Sequence, residues 1–121
     1  DLRIGVQRPS PADLFGVIDG DDTHTVAARV EHARGMALMR SGTLNARLRA
    51  ADLESVTPLG HAAQSALETA VSQGRLSARG VSRVRSVART IADLSQHEGP
   101  LGVEQICFAM SLRIDPFGFT R

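Results

Sequence analysis

The stretch Leu76-Ser-Ala-Arg-Gly-Val-Ser-Arg-Val-Arg-Ser-Val-Ala-Arg-Thr-Ile-Ala-Asp-Leu94 decides the fold, because it puts four arginines on one helix around an unbroken apolar stripe. At about 100° per residue, Val81, Val84, Val87, Ala88, Ile91, Ala92 and Leu94 fall within one arc. Arg79/Arg83 and Arg85/Arg89 form i,i+4 pairs along its two edges. The spacing therefore predicts a helix that packs on one face and carries charge on both rims. Ser77 is a good N-cap, which leaves Arg79 in the first turn, where the macrodipole is positive and a cation is disfavoured by roughly 0.3–1 kcal/mol. An anion offered from elsewhere offsets that cost.

Composition narrows the rest. The chain has 121 residues, 42% hydrophobic and 22% charged, enough for one ordinary core. Its only aromatics are four Phe, so the core is built from Leu, Val, Ile, Ala and Met, a mix that favours helices over sheets. No lysine occurs anywhere in the sequence. That excludes a Walker A loop and Schiff-base catalysis within these residues, because both need a Lys side chain. A net charge of +1 and the absence of Trp and Tyr leave no global nucleic-acid footprint, so such a role needs a local patch. The single cysteine, Cys107, shares a helical face with Val103, Ile106 and Met110 and is expected as a buried core thiol. One cysteine makes no internal disulfide, and no stretch has the roughly 18 apolar residues of a membrane span; the chain reads as cytosolic, with no membrane partner.

Along the chain, Asp1 to Gln7 alternates with a strand's period until Pro9 and Pro11, giving an extended arm with no partner strand. Residues 10–22 read as linker with one short turn around Ala12 to Phe15. A long helix is expected from an N-cap at Asp22 or Thr23 to about Arg40, with Val26, Val30, Ala33 and Ala37 as its stripe and Ser41-Gly42 as its end. A short helical piece around Thr43 to Leu48 and a loop through Asp52 follow. The next helix is expected from Thr57 as N-cap, with Pro58 at the first helical position and Gly74 after its end. After the arginine helix, Gly99-Pro100 and Gly102 break the chain, and a last helix spans about Val103 to Leu112. The tail, residues 115–121, has turn composition and is expected to be flexible. The predicted class is all-α: a small bundle of about four helices with an N-terminal extended arm.

Leu76-Ser77-Ala78-Arg79, Arg83 and Val87-Ala88-Arg89-Thr90-Ile91-Ala92-Asp93-Leu94 resemble the C-terminal signature of Mg-chelatase-like AAA+ ATPases of the YifB/ComM family. Arg29-Val30-x-x-Ala33-Arg34, Asn45 with Leu48, and Ser111-Leu112-Arg113 extend the resemblance over about residues 1 to 113. It implies an arm and linker (residues 1–20) leading from an upstream ATPase core and a helical lid domain (residues 21–114). It also implies that Arg79 is a sensor-2 arginine reaching the ATP phosphate, with Arg83 a weaker second contact. A fork-shaped, permanently charged guanidinium suits that task. ATP and Mg would be held by the core, with its Walker motifs and arginine finger upstream, so this stretch is expected to be catalytically inert alone. The partners implied are the ATPase core of the same chain, neighbouring subunits of a hexamer and DNA, through a motor acting in recombination or transformation. Two alternatives stay open: the lid of a magnesium chelatase that drives Mg²⁺ into a porphyrin, and a free-standing helical protein-interaction module.

The remaining groups have plainer readings. Arg83, Arg85 and Arg89 are expected to snorkel over the core edge, with Arg89 in i,i+4 reach of Asp93. Arg29, Arg34 and Glu31 read as a solvated face. His24, His32, His61 and His97 lack metal-ligand spacing. Asp19, Asp21 and Asp22 lack the Glu that completes a calcium loop and are assigned to capping and solvation.

Overall fold

The computed structural model describes residues 2–113. Four long helices carry the fold: α2 (Thr23–Ser41), α4 (His61–Ser72), α5 (Ala78–Leu94) and α6 (Val103–Ser111). Two short ones, α1 (Pro11–Phe15) and α3 (Leu53–Val56), and single 3₁₀ turns at Asn45–Arg47 and Ala50–Asp52 complete the order. The described residues contain no strand, so the class is all-α, as the arginine stripe predicts.

The helix boundaries follow local chemistry. Asp22 caps α2 by accepting the Thr25 amide at 2.7 Å, and Gly42, at φ 68°, takes the left-handed conformation that ends the helix. Ser77 caps α5 by accepting the Gly80 amide at 3.1 Å. Ser10 and Asp13 close a capping box on α1, at the turn expected there.

Helix α5 is the central element, against which α2, α4 and α6 pack. Val84, Ala88 and Ala92 are buried along it, joined by Ala63 and Leu67 from α4, Ile106 and Ala109 from α6, and Leu101 from the preceding loop. Leu101, Ile106 and Val84 are the large apolar side chains buried without residual exposure. Each contributes roughly 1.5–3 kcal/mol.

Three expectations change in three dimensions. Thr57 does not cap α4; Gly60 does, because the segment between them is drawn into a parallel bridge, Leu59 with Leu101. The Gly60 amide donates to the Leu101 carbonyl at 2.9 Å and the Leu101 amide to the Pro58 carbonyl at 2.7 Å. Long-range pairing thus overrides a good local start signal. On α2 only Ala33 and Ala37 of the expected stripe are buried; Val26 and Val30 stay 40% and 44% exposed. Two small side chains let α2 approach α5 closely at its C-terminal half, and nothing in the described residues covers the other half. Cys107 is exposed rather than buried. Helix α6 turns Ile106 and Ala109 inward, which rotates the thiol away from the core. The alternating arm has no partner strand, as expected: residues 2–10 are exposed and carry neither helix nor strand, and the Arg3 amide donates to the Leu112 carbonyl at 2.7 Å. The expected flexible tail at residues 115–121 lies outside the described residues.

Candidate functional site

The four arginines of α5 divide into two pairs. Arg85 and Arg89 are 7% and 3% exposed, so they do not snorkel over the core edge; they are tied into it. Arg85 donates from Nε to the Thr57 hydroxyl at 2.9 Å, and from Nη2 to the Thr57 and Leu53 carbonyls at 2.8 and 3.2 Å. Its Nη1 reaches Glu54 at 3.0 Å. This supplies the Thr57 carbonyl with a donor and adds one at the Leu53 carbonyl, which also accepts the Thr57 amide at 2.8 Å. The Thr57 hydroxyl in turn donates to the Leu53 carbonyl at 2.6 Å, so it accepts from Arg85 and donates within the same turn.

Arg89 performs the same service for the loop between α5 and α6. It donates to the His97 and Gly99 carbonyls at 2.9 and 3.1 Å, and its Nε lies 3.4 Å from Asp93, the i,i+4 pair expected from the sequence. Burial and the neighbouring Arg40 push its guanidinium below the ordinary arginine value, and the Asp93 carboxylate opposes them.

Asp93 is the centre of a buried polar cluster that the periodicity does not announce. Its carboxylate, fully buried, accepts from both terminal nitrogens of Arg40 and from the Asn45 amide at 2.8 Å. Asn45 also donates to the Thr90 hydroxyl at 3.2 Å. The cluster ties the end of α2 and the 3₁₀ turn to α5. Asn45 belongs to the residues that carry the family resemblance, and its role here is architectural. Arg40 gives no sequence signal beyond being a basic residue near a helix end.

The other pair lies toward the start of the helix. Arg79 is exposed in the first turn of α5 and forms no ion pair or side-chain hydrogen bond among the described residues. Arg83, one turn on, is half-buried and engaged. The N-terminal turn of α5 thus presents a guanidinium with unused donors, whereas the C-terminal half spends its arginines on the fold.

Two open grooves flank α4. One, of about 610 Å³, lies against α5 and includes Glu54 and Glu68 in its lining. The other, of about 700 Å³, lies against α6 and the turn after α4, with Arg75 and Arg113 in its lining. No cluster of three or more His, Cys, Asp or Glu suited to a metal occurs among the described residues. Asp22 caps α2 and Asp21 pairs with Arg29 at 2.7 Å, the capping and solvation expected of the acidic linker. No helix among the described residues is long and apolar enough to cross a membrane.

Fold and arginine usage together define a class: a small all-α bundle whose central helix is anchored by its C-terminal arginines and exposes one at its start. Within that class, residues 20–113 match the family described as magnesium chelatase, subunit ChlI C-terminal, and the chain belongs to that family. It is also 35% identical over 117 residues to proteins from Mycobacterium bovis and Mycobacterium tuberculosis that are described as uncharacterized. The match covers 93% of this chain and 23% of those relatives, so the chain spans about a quarter of their length.

Proposed function

We propose that this domain is the lid of a Mg-chelatase-related AAA+ ATPase of the ComM/YifB kind, with Arg79 as its sensor-2 arginine. The observation that carries the reading is the contrast within α5: Arg85 and Arg89 are consumed by buried contacts, whereas Arg79 is exposed and has no carboxylate partner among the described residues. An unpaired guanidinium in a first turn is held against the macrodipole, and a phosphate brought up by a neighbouring domain relieves that cost. ATP and Mg would be bound by the core, with Arg83 a secondary contact. The lid itself supplies one phosphate contact and no cradle of backbone amides, so the 121-residue chain should bind ATP no tighter than about millimolar. The parent motor would assemble with neighbouring subunits as a hexamer and act on DNA in recombination or transformation.

The test is Arg79→Ala in the full-length chain that carries the core. ATP turnover should fall at least about tenfold, or 1.4 kcal/mol of transition-state stabilisation, with the lid still folded. Unchanged turnover with a destabilised lid would make Arg79 a structural ion-pair partner instead. Stimulation of turnover by DNA, and none by porphyrin with Mg²⁺, is expected of the ComM/YifB reading; the reverse result assigns the lid to a magnesium chelatase.

A further inference from the structure

The two grooves beside α4 separate the charges of this nearly neutral domain. Gln64 and Glu68 point to one side of the helix, and Ser65 and Thr69 to the other. The second groove collects Ser65, Thr69, Arg75, Ser111 and Arg113, and no carboxylate lines it. Leu76 and Met110 supply an apolar floor.

Both arginines are set by the backbone around them. The turn after α4 is closed by the Arg75 and Leu76 amides, which donate to the Ala70 carbonyl at 2.9 and 3.3 Å, with Gly74 at φ 71°. Arg75 then uses only Nε internally, to Gln73 at 3.0 Å, so its terminal nitrogens remain available. Arg113, at the end of α6, lies against the first turn of α5. Its Nη2 is 3.8 Å from where a side chain on buried Gly80 would begin, which places the guanidinium beside that turn. Neither arginine forms an ion pair among the described residues.

We infer that the α4–α6 groove binds the sugar–phosphate backbone of a nucleic acid strand. Forked guanidiniums on both walls and hydroxyls one helical turn apart, about 6 Å, form the donor set used for phosphate and sugar oxygens. The apolar floor suits the deoxyribose carbons, which a free phosphate would leave uncovered. The inference rests on the DNA side of the proposed function for what meets the groove, and it does not involve Arg79 or ATP.

The experiment is an NMR titration of the 121-residue chain with a single-stranded oligonucleotide, without nucleotide. Amide shifts should cluster at Ser65, Thr69, Arg75, Cys107 and Ser111. Two phosphate contacts on a single strand predict that affinity falls about threefold for each doubling of salt. Arg75→Ala with Arg113→Ala should weaken binding at least about tenfold. Ser65→Glu with Thr69→Glu should do the same while leaving both arginines and the core untouched, which covers any folding defect of the first variant. Arg34→Ala, on α2, should bind as wild type. Shifts elsewhere, wild-type binding by either double variant, or equal binding of inorganic triphosphate or polyglutamate would overturn the inference. Because the core and ATP are absent, loss of groove binding leaves the lid reading intact, and a silent Arg79→Ala leaves the groove intact.

Discussion

Arg40 and Asp93 meet end to end, both guanidinium nitrogens on both carboxylate oxygens, although 53 positions separate them in sequence. Asp93 is fully buried and Arg40 is 24% exposed at its side chain, so the pair is anchored on its acidic side. Removing the acid leaves Arg89 and Asn45 in the interior without their anion. Removing Arg40 leaves Asp93 with the Asn45 amide as donor and the Arg89 charge beside it. Asp93→Ala should therefore cost about 3–5 kcal/mol, and Arg40→Ala clearly less. Chemical denaturation of the two variants checks the order, and equal losses would show that Asp93 is not the centre of the cluster.

Arg85 and Glu54 form an ion pair in which one member is 9% and the other 87% exposed at the side chain. The value of the contact lies in the carbonyls, not in the carboxylate. Arg85→Ala strands the buried Thr57 carbonyl and takes the Nε donor from the Thr57 hydroxyl, and should cost about 3 kcal/mol, whereas Glu54→Ala should cost under about 1 kcal/mol. Thermal unfolding distinguishes them. Arg85 is consequently unsuited as the neutral control for Arg79 that its position on the opposite rim suggests.

The Cys107 thiol is on the surface. Native protein should react with one equivalent of a disulfide reagent at a rate close to that of the denatured chain. A thiol that becomes reactive only on unfolding would return it to the core.

Asp22 accepts the Thr25 amide, and that hydrogen bond holds its carboxyl below the ordinary 3.8. A carboxyl depressed in the folded state stabilises fully above its unfolded value and loses that contribution as pH falls through the folded one. The Thr25 amide resonance should therefore titrate with a midpoint below 3.8 as the first turn of α2 frays. A midpoint at or above that value would mean the cap is not formed.

The start and end of α5, the capping of α2 by Asp22 and its stop at Gly42 were all legible, because caps, left-handed glycines and a 3.6-residue stripe act within a few residues of each other. The place of Arg79 in the first turn of α5 was legible for the same reason: Ser77 fixes the first turn, and Arg79 follows from counting. Its place in the magnesium chelatase C-terminal family was readable from the letters of the same helix.

The burial of Arg85 and Arg89 was not legible, because an arginine beside an apolar stripe looks alike whether it meets water or a carbonyl. Only the arrival of Thr57, His97 and Gly99 from other elements chooses between the two. The capping of α4 moved from Thr57 to Gly60 on the same principle, since the Leu59–Leu101 bridge joins segments 42 positions apart. The sequence by itself determined which segments become the four long helices and how α5 begins, for those are short-range steric and hydrogen-bonding choices; the short α3 at Leu53–Val56 was not foreseen. Tertiary structure alone decided which polar groups are consumed inside and which stay available outside, because desolvation is set by what packs against a residue and not by its neighbours in the chain.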